Sequence, residues 1–141
     1  MNFLPEILIL ISLILGAYQD FKTRSVSDYV WLPLIPAMII QTYYFPLALG
    51  GFILIGSLCA LLAFSKLLGI ADIFALATMG SLPSFWAIIT SFTFFIISGL
   101  IHISIRYLRK ENLQNGRYPF VVYSFIGYVS GFLFLAIVAK S

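Results

Sequence analysis

The chain has 141 residues, of which 62% are hydrophobic and only 9% are charged. Soluble domains carry roughly 25% charged residues, so this composition excludes a water-soluble globular protein. The length suits one domain, spanning 1–141, and the longest polar stretch, 106–117, is too short to add a soluble one. We therefore predict an all-α, multi-pass membrane protein.

The basic residues are clustered although the net charge is only +3. Most of them fall in three short loops between hydrophobic segments: Lys22, Arg24, Lys66, Arg106, Arg109, Lys110 and Arg117. This distribution is typical of cytoplasmic loops that face lipid headgroups, so we expect membrane lipids as partners. No basic stripe lies on a soluble face, and we expect no nucleic-acid partner. The single cysteine, Cys59, lies in an apolar run and is predicted to be a core residue.

About six hydrophobic segments are predicted to form transmembrane helices: 3–18, 29–44, 47–68, a short run ending near 80, 85–107 and 119–139. The lysine and arginine that follow the first segment predict an external N-terminus. Six segments then return the C-terminus to the outside. The fourth segment has about a dozen residues, fewer than the ~20 that cross a bilayer, so we expect a short helix.

Prolines and glycines divide these segments. Pro33 lies near the start of the second helix, where proline is tolerated, whereas Pro36 is predicted to kink that helix. Phe45-Pro46 predicts the turn into the third helix. Gly127 and Gly131 form a GxxxG pattern in the sixth helix, which indicates packing within the bundle or, as an alternative, dimerisation.

Three of the five acidic residues have simple structural explanations. Glu6 lies near the outer end of the first helix and is expected at the headgroups. Asp28 is expected to be the N-cap of the second helix, with binding of a basic substrate group as its functional alternative. Glu111 lies beside Arg109 and Lys110 and is expected to be solvated.

Asp20 and Asp72 differ because each lies within about a turn of an apolar helix, where an uncompensated charge is costly. Asp20 could pair with Lys22 or Arg24, and Asp72 could cap the fourth helix. The chemical alternative is a pair that shares one proton across a water. One carboxylate then acts as general base, and the other hydrogen-bonds to a peptide carbonyl. Gly69 would let a substrate backbone approach such a pair.

The helix ends predict different roles for the two acids. Asp20 lies at a helix C-terminus and Asp72 at a helix N-terminus, where a negative charge is favoured, so Asp72 is the expected base. His102 lies near the same end of the fifth helix. It is expected to be packed and hydrogen-bonded, with a third polar role at the site as the alternative.

Two segments resemble the GxGD aspartyl peptidases, specifically the type IV prepilin peptidase and archaeal preflagellin peptidase family. The segment 18–28, YQDFKTRSVSD, resembles the first-aspartate segment, and its last three residues resemble the archaeal branch. The segment 69–76, GIADIFAL, resembles the second-aspartate motif, with Ala71 in place of its second glycine. Pro119-Phe120 with Gly127 is a weaker third match. The chain lacks the paired CxxC insert of large bacterial members, which implies a peptidase without N-methyltransferase activity.

The resemblance implies removal of the short basic leader from prepilin-like or preflagellin precursors at the cytoplasmic face of the plasma membrane. Asp20 and Asp72 would be catalytic, and Gly69, Ala71 and Asp28 would contact the substrate. Neither a metal nor an organic cofactor is expected, and the oligomeric state stays open. The rival interpretation is a non-enzymatic membrane protein, such as a proton-coupled carrier or an assembly subunit. A carrier places its acids near mid-bilayer, whereas both aspartates here map to one face.

Overall fold

The computed structural model describes residues 4–23, 26–63, 70–111 and 119–140. All regular structure in these ranges is helical, which confirms the all-α prediction. The six α-helices are α1 (Leu4–Thr23), α2 (Leu34–Tyr44), α3 (Pro46–Ala63), α4 (Ile70–Gly80), α5 (Phe85–Leu108) and α6 (Phe120–Lys140), and a one-turn 3₁₀-helix (Asp28–Trp31) precedes α2.

Three helices, α1, α5 and α6, are long and apolar enough to cross a membrane by length and composition. Helix α4 has 11 residues, so the prediction of a short fourth helix is confirmed. At about 1.5 Å per residue it extends about 17 Å, roughly half of a hydrocarbon core. It therefore depends on its neighbours for part of its apolar surroundings.

Helix α4 lies at the centre of the bundle. Residues 75–82, which include most of α4 and the turn after it, are all buried. The helix packs mainly against α3 and α6, with smaller contacts to α5 and α1. Around it, α5 packs on α6, α6 on α1, α1 on α2 and α2 on α3. The first turn of α4 thus lies at one end of the bundle that the other helices form around it.

Paired glycines let α3 and α4 cross in backbone contact. A Cβ atom on Gly51 would lie 2.0 Å from the carbonyl oxygen of Gly80, and one on Gly80 would lie 2.6 Å from that of Gly51. Both distances are far below van der Waals contact, so neither position accepts a side chain without a backbone shift. A Cβ atom on the neighbouring Gly50 would have nothing within 4 Å.

The GxxxG pattern of α6 is used inside the bundle. A Cβ atom on Gly127 would lie 2.5 Å from the Ser91 carbonyl oxygen, and one on Gly131 would lie 2.7 Å from that of Ala87. Both contacts bring the α5 backbone onto α6. The packing interpretation of this pattern is therefore confirmed.

The start of the second helix differs from the prediction. The segment divides into the 3₁₀-helix and α2, and Pro33 is the N-cap of α2. Pro36 is the third residue of α2, where a backbone N–H has no intrahelical acceptor, so the predicted kink is wrong. Ser27 is the N-cap of the 3₁₀-helix and Asp28 is its first residue, so the predicted cap was one position late.

Other boundaries agree more closely. Phe45 alone separates α2 from α3, as the Phe45-Pro46 turn predicted. Helix α3 ends at Ala63 in the described part of the chain, and Lys66 lies outside it. Cys59 is a free, buried thiol within the core, as expected.

Candidate functional site

Helix α1 buries one stripe that carries an acid near each end. The buried residues at spacings of three and four are Glu6, Ile9, Leu13, Gly16 and Asp20. Such spacing places them on a single helix face. Asp20 is 7% exposed and Glu6 only 2%. The headgroup position predicted for Glu6 is therefore wrong, because its face of α1 turns towards α2 and α6.

Asp20 caps a helix to which it does not belong. Its Oδ2 accepts a hydrogen bond of 3.1 Å from the backbone N–H of Val121. Val121 is the second residue of α6, and N–H groups in a first helical turn lack intrahelical acceptors. The carboxylate satisfies one of these donors and lies at the positive end of the helix dipole. This contact stabilises negative charge on Asp20.

A glycine makes this contact possible. A Cβ atom on Gly16 would lie 3.1 Å from Val121 Cγ1 and 3.4 Å from Trp31 Cη2. Without that atom, the first turn of α6 and the 3₁₀-helix both approach α1 one turn before Asp20. The glycine was not singled out from the sequence. Gly16 precedes Asp20 by four residues, and this spacing alone places the two on the same face of α1.

Trp31 connects the last turns of α1 to the first turns of α4. Its ring packs over Gly16 and stacks on Phe74, with ring centroids 5.8 Å apart and an interplanar angle of 25°. Phe74 follows Asp72, which lies in the first turn of α4 and is half-buried. Asp20 and Asp72 therefore belong to the same end of the bundle, which we call the aspartate end.

Gln19 fastens the beginning of the 3₁₀-helix to the last turns of α1. Its Oε1 accepts a 2.8 Å hydrogen bond from the backbone N–H of Ser27, and its Nε2 donates a 2.8 Å bond to the Tyr29 hydroxyl. Both bonds fasten the segment that contains Asp28 to the residue next to Asp20. Asp28 itself is exposed at this end. No local pattern in the sequence marks Gln19, because its partners Ser27 and Tyr29 lie eight and ten positions later in the chain.

The remaining predicted site residues lie around α4. Ala71 is the second residue of α4 and packs, partly buried, against the core. Gly69 lies outside the described residues. Lys22, one predicted partner of Asp20, donates a 3.4 Å hydrogen bond to the Tyr18 hydroxyl and lies over that ring. Arg24, the other predicted partner, is also outside the described residues.

His102 pairs with an aromatic cluster between α5 and α6. Its Nδ1 is hydrogen-bonded to the hydroxyl of Tyr123, which is 5% exposed. Phe95 and Phe120 contact the same tyrosine ring. Tyr123 follows Val121 by two residues and so lies on a different face of α6 from the Asp20 contact. This supports the interpretation of His102 as a packed, hydrogen-bonded residue.

No group of three or more His, Cys, Asp or Glu residues that could hold a metal ion occurs among the described residues. The candidate site includes the carboxyl groups of Asp20 and Asp72 and the backbone N–H of Val121. Gly16, Trp31 and Phe74 contribute apolar surface beside it.

These features define a helical membrane protein with two aspartates at one end of its bundle. The chain belongs to the type IV leader peptidase family, whose sequence model matches residues 7–105. Membership implies an aspartic-type peptidase, and the predicted resemblance is confirmed. No curated protein and no solved structure matches the chain. The matched region contains both aspartates but excludes α6.

Proposed function

We propose that the protein removes the short basic leader from prepilin-like or preflagellin precursors, with Asp20 and Asp72 as its catalytic pair. The proposal places the aspartate end at the cytoplasmic face of the plasma membrane and the N-terminus outside. It includes no methyltransferase activity. The observation that carries it is the shared end of Asp20 and Asp72 in a chain that belongs to this family.

The pair has the groups that peptide hydrolysis requires. One carboxylate takes a proton from water, whose oxygen attacks the scissile carbonyl carbon, while the other carboxyl donates a proton to the carbonyl oxygen. Collapse of the tetrahedral intermediate breaks the C–N bond. The carboxyl group that took the proton from water gives a proton to the leaving nitrogen, and the other carboxylate recovers a proton from a hydroxyl of the intermediate. Two neighbouring carboxyl groups that share one proton supply both roles.

The identity of the base rests on opposing helix effects. The dipole of α1 favours Asp72 as the base, because Asp20 lies at the C-terminal end of α1. The Val121 N–H also stabilises charge on Asp20, through the N-terminus of α6. The assignment to Asp72 therefore stays a prediction.

The substrate contacts are proposed from position and charge. Asp28 is exposed at the aspartate end and is fastened beside Asp20 through Gln19, where an acid attracts a basic leader. Ala71, together with Gly69, would leave room for the substrate backbone next to Asp72. The rival function, a proton-coupled carrier, fits less well, because its acids belong near mid-bilayer between discontinuous helices.

The test is cleavage of prepilin-like and preflagellin precursors by the purified protein in oriented vesicles. We expect a single cut that releases the leader, only when the precursor's leader is presented at the aspartate end. Neutral substitutions in the leader, or Asp28→Asn, should raise KM more than they lower kcat. Precursors that all stay intact with folded protein would overturn the proposal.

A further inference from the structure

A second polar cluster lies at the opposite end of the bundle from Asp20. Glu6, in the first turn of α1, is 2% exposed, and its carboxyl is hydrogen-bonded to the side chain of Gln41. Its Oε2 atom is fully buried without a hydrogen-bond partner. Gln41 is also 2% exposed and lies near the end of α2. Buried polar groups in a membrane protein are costly, so their retention requires an explanation.

Gln41 links this carboxyl to the end of α4. Its Nε2 donates a hydrogen bond of 3.4 Å to the carbonyl oxygen of Ser81, the residue that follows α4. The cluster Glu6–Gln41–Ser81 therefore joins the beginning of α1, the end of α2 and the end of α4. All three residues are buried, so water does not compete for these bonds.

The same two helices carry the aspartates at their other ends. Glu6 and Asp20 lie on one face of α1, and their separation of fourteen positions corresponds to about 21 Å. Asp72 lies in the first turn of α4, and Ser81 follows its last residue. Two helices joined at one end hold their opposite ends at a defined offset, provided that each is straight and packed.

We propose that Glu6 is a positioning residue: through Gln41 it fixes α1 against α4 and thereby sets the position of Asp20 relative to Asp72. This inference rests on the proposed function, because it assigns that pair the catalysis. Glu6 lies one residue before the region that the family's sequence model matches.

As part of this proposal, we expect the carboxyl to be in its neutral form. The groups around it include the Glu6 backbone, the neutral amide of Gln41 on α2 and the phenol of Tyr128 on α6, which is 1% exposed. Among the described residues, no basic side chain forms an ion pair with Glu6. An unpaired carboxylate in such surroundings is far costlier than the neutral acid. Glutamine has the size and hydrogen-bonding groups of the neutral acid, whereas alanine has neither.

Kinetics of precursor cleavage test the positioning role. Glu6→Gln should keep kcat within about threefold of wild type, while Glu6→Ala and Gln41→Ala should each lower kcat about tenfold with little change in KM. The double alanine variant should be no slower than either single variant, because both break one link. Ser12→Ala, which removes a buried hydroxyl from α1 outside this link, should match wild type.

Each kcat is referred to the folded fraction, measured by thermal unfolding in the same vesicles. An unchanged kcat per folded Glu6→Ala enzyme, or independent losses that multiply in the double variant, would overturn the inference. If Asp20→Asn and Asp72→Asn cleave normally, it is instead the proposed function that fails.

Infrared spectroscopy tests the neutral form without activity. In a background with Asp20→Asn and Asp72→Asn, the carbonyl band of a protonated carboxylic acid should persist at neutral pH and disappear with Glu6→Gln. A spectrum in which that substitution removes a carboxylate band instead would contradict the neutral assignment.

Discussion

Asp20 Oδ2 lies 3.1 Å from the backbone nitrogen of Val121, a contact between residues 101 positions apart in the chain. It attaches the last turn of α1 to the first turn of α6 and directs the carboxyl group into the bundle. Helix α6 lies outside the region that the family's sequence model matches, yet it supplies a backbone N–H donor to this aspartate. In our account Asp20 therefore has a structural role as well as the proposed catalytic one.

These two roles of Asp20 separate by substitution. Asparagine keeps an oxygen acceptor for the Val121 N–H, so Asp20→Asn should unfold at nearly the wild-type temperature. Alanine leaves that donor without its acceptor, and Asp20→Ala should lose about 1–2 kcal/mol of stability. Thermal unfolding of both proteins in detergent measures the difference. Asp28→Ala, at an exposed position without this contact, is the control and should stay near wild type.

Adjacent glycines of α3 provide a matched pair. Gly51→Ala places a methyl group 2.0 Å from a backbone oxygen of α4, whereas Gly50→Ala meets nothing within 4 Å. We expect a loss of about 1–3 kcal/mol or more for Gly51→Ala, because overpacking displaces backbone. Gly50→Ala should be neutral or gain up to about 1 kcal/mol in its helix. Equal unfolding temperatures for the two variants would show that α3 and α4 do not cross here.

The two tryptophans differ in burial and should differ in consequence. Trp31 is 6% exposed and stacks on Phe74, while Trp86 is 66% exposed on α5. Trp31→Ala should cost about 3–5 kcal/mol and lower kcat, since it removes the contact between the ends of α1 and α4. Trp86→Ala should change stability by less than about 0.5 kcal/mol. Unfolding and cleavage measured on both proteins test this, and a silent Trp31→Phe would show that an aromatic ring suffices.

The hydrogen bond between His102 and Tyr123 is predicted to be structural. His102→Asn and Tyr123→Phe should each lower stability, with a coupling of about 1 kcal/mol in the double variant. Cleavage by the folded variants should stay within a few-fold of wild type and keep the wild-type pH profile. A pH profile altered by His102→Asn alone would instead assign the imidazole to the reaction.

The architecture was largely accessible from the sequence because apolar length and basic loops determine it. The short α4 followed from the run that ends at Gly80, and the turn at Phe45 from its proline. The predicted kink at Pro36 was wrong because the effect of a proline depends on where its helix begins. With Leu34 as the first residue of α2, its missing N–H costs no hydrogen bond.

The site was only partly accessible. The spacing of Glu6 and Asp20 already places both on one face of α1, but a helix that is apolar all round does not reveal which face is inward. The bond between Asp20 and Val121 joins distant segments, and no local pattern predicts such a pair. Gln41 appeared as one polar residue in an apolar run, and its partners on α1 and after α4 become apparent only in the fold.

The most direct test of the central claim is the turnover of a leader-bearing precursor by Asp20→Asn and Asp72→Asn, each checked for wild-type folding. We predict that either substitution lowers kcat by about 10²–10⁴-fold and that the double variant is scarcely slower, because the two carboxyl groups act as one unit. Turnover within about threefold of wild type in either single variant would contradict the proposed catalytic pair.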